Sequence, residues 1–212
     1  MNVMRRTAAI ALGLSAALGL TATDTQAAVI TGGTTDVVLT SAGALAGAGV
    51  GVKPLGTGTI EATRPFPTAV FPITGGSIGA GGATIEHQGS GLELSSIATP
   101  AKKIDVTNFL VDTAAGLVSG DVNGGTTAIG LFSLQPPTGL NMIPLNLTAG
   151  AAQALNGLFG TSFTTATQIG VASTHPTTGA VPEPSTWALM GLGFAALGFA
   201  GFRKARPAAT GA

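Results

Sequence analysis

The 212-residue chain has no cysteine and no tyrosine, and only 8% of its residues are charged, where average soluble domains carry roughly 25%. Without cysteine there is no disulfide framework, no thiolate metal site and no cysteine nucleophile. Aromatic residues make up 5%, with a single Trp at position 187. Low charge does not here mean disorder, because Val, Ile, Leu and Phe are plentiful and spread along the chain. Thirty-three Gly and 12 Pro point instead to strands joined by Gly-rich turns, with Ala, Thr, Ser and Gly covering the surface. Residues 28–180 hold four basic and seven acidic residues, a net charge of −3. A mildly acidic body lacks the basic patch that nucleic-acid binding needs.

Basic residues and long apolar runs collect at the two ends. The N-terminus reads MNVMRRTAAIALGLSAALGLTATDTQAAVI. Arg5 and Arg6 form a positive segment, and Thr7 to Leu20 is an apolar run too short for a comfortable membrane span. Thr25-Gln26-Ala27 places small residues where a signal peptidase inspects them. Residues 1–27 therefore read as a signal peptide, cleaved between Ala27 and Ala28.

The C-terminus holds VPEPSTWALMGLGFAALGFAGFRKARPAAT, Val181 to Thr210. Its uncharged run, 186–202, would rise roughly 25 Å as a helix, close to a ~30 Å hydrocarbon core. Trp187 stands at one end of the run, where an interfacial aromatic belongs. Arg203, Lys204 and Arg206 stand at the other, a positive flank that stays cytoplasmic. The run has no polar face, which argues against a buried core helix. Together the ends would place the body outside the membrane and the C-terminus inside. Pro182 and Pro184 lack backbone donors and fix φ, so the segment ahead of the span stays extended.

Val181-Pro182-Glu183-Pro184, the apolar run opening at Trp187 and the basic flank closing with Arg203-Lys204 resemble the PEP-CTERM sorting signal over 181–206. That signal occurs on exported proteins of Gram-negative bacteria that make exopolysaccharide. The resemblance implies recognition and cleavage by exosortase, an integral-membrane transpeptidase-like enzyme, followed by release to the cell surface or extracellular matrix. Signal peptidase and exosortase are then the expected partners, and extracellular polysaccharide is a candidate third. The signal is a substrate, so the catalytic groups belong to the partner.

Between the signals lies a body of 28–172, followed by STHPTTGA, a turn-rich stretch that reads as a linker over 173–180. Strand signals recur at 36–40, 84–86, 92–96, 104–112, 117–122, 126–134 and 169–173. The 84–86 and 92–96 strands would flank a Gly-rich turn at 88–91. The alternation in 104–112 slips phase near Asn108, which predicts a bulge. Asn123-Gly124-Gly125 is a hairpin signal. Thr148 can cap a helix over AGAAQALNGLF that ends at Gly160, and a shorter Ala-rich helix should follow Ser41. The expectation is a mainly β domain, a sandwich or partly open barrel with one or two short helices.

Chemistry is sparse in this body. Gly75-Gly76-Ser77-Ile78-Gly79 matches the G-x-S-x-G nucleophile pattern, and Asp105 or Asp112 with His175 would complete a triad in order. The Gly-rich sequence after Ser77 cannot be the helix that pattern requires, so a turn is expected. Asp121-Val122-Asn123-Gly124 opens like a calcium loop but lacks the later acidic ligands. No enzyme, resident metal or cofactor is expected. The stretches ATIEHQGSGLELS, IDVTNFLVDTAAGLVSGDV and IPLNLTAGAAQALNGLFG resemble the HtaA-like haem-transport-associated domain, a β-rich family. That resemblance implies haem binding through Tyr with His. This chain has no Tyr, which leaves His87, a histidine expected at a solvated strand end, as the one ligand candidate.

Overall fold

The computed structural model describes residues 27–62, 65–137, 142–179, 190–195 and 197. The expected signal peptide, 1–27, therefore lies outside them except for Ala27. So do the expected sorting residues Val181, Pro182, Glu183 and Pro184 and the flanks Trp187, Arg203, Lys204 and Arg206.

The β-branched stretch ahead of Thr40 forms β1 (Ala28–Val38), and the Ala-rich piece that follows is the short α1 (Ala42–Gly47). Next come β2 (Val50–Gly56), β3 (Thr59–Glu61), β4 (Thr68–Pro72), β5 (Gly75–Gly79) and the long β6 (Gly82–Ser96). Then follow β7 (Lys103–Asp112), β8 (Leu117–Val122), β9 (Ile129–Leu134), β10 (Ile143–Leu147), α2 (Ala149–Phe159) and β11 (Gln168–Thr178). All pairings are antiparallel. The sheet runs from β11 through β10, β9, β8, β7, β6 and β5 to β1, and β1 pairs back onto β11. The wall closes on itself, so of the two expected architectures the barrel is the one observed. The closure has two parts. β5 touches β1 only at Ala28 and Val29, while the rest of that edge of β1 takes β4, and the second half of β6 takes β2.

Two bulges, facing each other, shape this wall. In β7 the buried positions are Val106, then Phe109 and Val111, a change of parity that needs one extra residue. Asn108 absorbs it in the left-handed region at φ 53°, a conformation Asn tolerates better than most residues. The phase slip in the sequence therefore marks a real bulge. Residues 88–91, expected to be a turn, are instead a bulge inside continuous β6. Gly89 at φ 75° bends the strand without reversing it, and the pairing with β7 resumes at Gly91. The Asn108 side-chain carbonyl accepts from Gly89 N at 2.8 Å, and its amide donates to Asp121 Oδ2 at 2.8 Å. One side chain thus ties β6, β7 and β8 together.

The core fills the barrel with Ile30, Val37, Phe71, Ile85, Phe109 and Val111 among others. A second cluster, Leu147, Ala152, Leu155 and Ile169, packs α2 against the wall. The sequence foresaw this helix. Thr148 caps it by accepting from Ala151 N, and Gly160 ends it at φ 70°. Among the described residues, apolar cavities of about 70 and 60 Å³ lie along the core, the first of them beneath α2.

Candidate functional site

The stretch 173–180, expected to be a linker, is largely strand. Ser173 to Thr178 form the second half of β11, in register with β1 from Asp36↔Ser173 to Ile30↔Thr178. Short polar residues read as a loop when taken alone. They become a strand here because β1 offers them an open ladder. The ladder ends in Gly179 N donating to Val29 O at 3.0 Å. The body therefore begins and ends at one place, since Ala28 and Gly179 lie at the same end of neighbouring strands. Cleavage after Ala27 would leave β1 whole. Both expected membrane signals would thus join the body at the same end of the barrel.

Beyond Gly179, residues 190–195 and 197 are helical. Their apolar side chains Met190, Leu192, Phe194 and Leu197 are 48% to 72% exposed. Among the described residues no helix is long and apolar enough to cross a membrane.

His87, expected to be solvated, is instead 1% exposed. It sits on the inward face of β6, edge-on to Phe71 with ring centroids 6.3 Å apart. Its Nδ1 lies 3.2 Å from the Phe109 carbonyl oxygen. A carbonyl can only accept, so Nδ1 carries the proton. Nε2 is then the acceptor of the Thr35 hydroxyl at 2.8 Å. Burial pushes the imidazole below its usual pKa, while the Phe109 carbonyl acts in the opposite sense. The ring is neutral, and its one lone pair is already engaged. This is the geometry of a core histidine with both nitrogens satisfied.

The remaining candidates do not converge. Ser77 lies in β5, paired with Val29 on one side and Thr84 on the other, with no helix after it. Gly76 is required by the backbone: at φ 122°, a Cβ would stand 2.0 Å from Thr84 O. The G-x-S-x-G match is thus a strand with a close neighbour, neither the turn expected nor a nucleophile elbow. Asp112 lies two strands from Ser77, across Thr84, and accepts from Ala115 N to close its turn. His175 is exposed on β11, its Nε2 3.3 Å from Ser173 Oγ and 4.0 Å from Asp36 Oδ2. One nitrogen meets both groups, so the ring cannot relay a proton from one to the other through its two nitrogens. The linker reading hid this cluster, although 173 and 175 share a face in any strand. Asp121 holds the Asn108 bulge. Asp105 pairs with Lys103, which also donates to Glu93 at 2.9 Å and holds that carboxyl below the usual range. Among the described residues no group of three His, Cys, Asp or Glu could hold a metal ion.

What remains as a site is the tail that β11 delivers. The PEP-CTERM protein-sorting motif matches residues 180–204. The chain carries this sorting motif. The match begins at the residue after Gly179, one residue ahead of the 181–206 read from the sequence. It implies processing by exosortase, a membrane transpeptidase, on the way to the cell surface. No curated protein matches the chain. Among solved structures, the C-terminal domain of HtaA from Corynebacterium glutamicum is similar, with a TM-score of 0.52 and 13% identity. The likeness covers 72% of this chain and 99% of that domain. It is a likeness of fold.

Proposed function

We propose that this is a non-enzymatic surface or extracellular-matrix protein. It is exported, held for a time in the inner membrane by the helix over 186–202 with its C-terminus inside, then cut by exosortase and passed outward. The barrel serves a structural or adhesive purpose in a polysaccharide matrix. The observation that carries the reading is the sorting motif beginning directly after the last strand of the β-body. Comparing the mass of the secreted protein in cells with and without exosortase tests it. The expected product begins at Ala28 and ends near Pro182–Pro184. A secreted chain that still ends at residue 212 in exosortase-positive cells refutes it.

The shared fold with the HtaA domain favours a second reading, a ligand-binding module for haem or glycan on the same anchor. The interior cavities weigh against an internal ligand, since small-molecule sites usually offer roughly 300 Å³ or more. Absorbance on adding haem separates the two: an unshifted Soret band removes the haem version.

A further inference from the structure

The sorting motif is joined to the barrel by almost no free chain, and this shapes how it can be reached. Gly179 is hydrogen-bonded to β1, and Pro182 is only three residues further on. That spans at most about 11 Å of extended backbone. An enzyme embedded in the membrane would have to grip the motif against the face of a folded barrel.

The strand that leads into the motif is held less firmly in its second half than in its first. Residues 168–172 of β11 run beside β10, and Val171 and Ala172 are paired on both sides, with β10 and with β1. Among the described residues, Ser173 to Thr178 have a ladder partner on β1 alone. The last buried side chain of the strand is Ala172, and none from 173 to 178 is buried. The pairing there is also irregular. Its register shifts between Ile30 and Gly32, Pro176 has no N–H to give, and its partner Gly33 sits at φ 116° with a Cβ position 2.1 Å from His175 O. Net hydrogen bonding in such a stretch is offset by the chain entropy that its release recovers, so it opens without the core opening.

We infer that the second half of β11 is a retractable tether: it peels from β1 to let the processing enzyme engage the motif, while 168–172 stay in the barrel. Peeling 173–178 adds about 20 Å of reach. The inference rests on the proposed exosortase processing.

A cross-strand disulfide tests it, and the chain has no cysteine of its own to interfere. Gly32 and Thr177 are register partners, and a Cβ on Gly32 would lie 3.4 Å from Thr177 Oγ1. The paired substitution Gly32→Cys with Thr177→Cys therefore suits a bridge, which forms in the oxidising compartment outside the inner membrane. In exosortase-positive cells the bridged protein should lose its tail at least tenfold more slowly than either single-cysteine variant. A six-residue Gly/Ser insertion between Gly179 and Ala180 should bring the bridged protein back to within twofold of wild type. Processing of the bridged protein at the wild-type rate overturns the inference, as does slowing that the insertion fails to relieve. Should the double variant not fold, hydrogen exchange on the full chain decides the matter. The amides of 174, 175, 177 and 178 should exchange at least tenfold faster than those of 169–171, and equal protection overturns the inference. An unprocessed wild type would instead strike the sorting reading itself.

Discussion

Replacing His87 with alanine removes a ring that is 1% exposed and hydrogen-bonded at both nitrogens. Two losses combine. The cavity costs at the lower end of the ~3–5 kcal/mol range for aromatic-to-alanine changes, because imidazole is smaller than a phenyl ring. Thr35, itself buried, keeps a hydroxyl that has lost its acceptor. A total of about 4 kcal/mol follows. In urea, with a slope of about 2 kcal/mol/M, the unfolding midpoint should fall by about 2 M. The pH dependence gives a second, independent mark. Burial keeps the folded-state pKa below the ordinary 6.5, so the unfolded chain takes up a proton first. The stability is complete above about pH 6.5 and is lost as pH falls towards the folded value, by up to ~1.4 kcal/mol per pH unit. His87→Ala should flatten that part of the profile between pH 7.5 and 5. Urea unfolding of the exported domain, parent against variant at both pH values, measures both marks. A midpoint within 0.5 M of the parent and an unchanged pH profile would refute the assignment. So would a haem-induced Soret shift that His87→Ala abolishes, since Nε2 would then be free to ligate.

Two further substitutions separate backbone need from chemistry. Gly76→Ala forces a Cβ against Thr84 O at an unfavourable φ and should cost about 2 kcal/mol or more, whereas Ser77→Ala should stay within about 0.5 kcal/mol. Thermal melts of the pair check this, and a reversed order would show that the serine matters more than the strand. Thr148→Ala removes the acceptor for Ala151 N and a 2.8 Å bond to the Gly130 carbonyl. It should cost about 1–2 kcal/mol, read as a lower melting temperature with the loss of α2 helicity; an unchanged melt would mean that α2 is held by packing alone.

The features legible in the sequence are those whose cause lies within a few residues. Thr148 and Gly160 mark α2 because a cap acts on its own first or last turn. Asn108 betrays its bulge because parity changes within a single strand. The sorting tail is legible for the same reason, since an enzyme reads it as a contiguous segment.

What misled was local evidence about non-local partners. Gln88 to Gly91 contain the residues of a turn, yet the ladder with β7 before and after them, and with β2 from Ser90, keeps them in one strand. His87 looked exposed because its neighbours are polar, while its actual partners are Thr35, 52 residues away, and Phe109, 22 residues away. Ser173 to Thr178 read as linker because nothing among them is apolar enough to demand burial. The sequence alone determined that the C-terminus carries a sorting motif and that the body is a β domain, because those properties follow from composition and contiguous pattern. Only the tertiary structure decided that β1 and β11 close the barrel, and so brought Gly179, the residue before the sorting motif, onto its wall. That pairing joins residues about 140 apart, and no local pattern can encode a partner so distant.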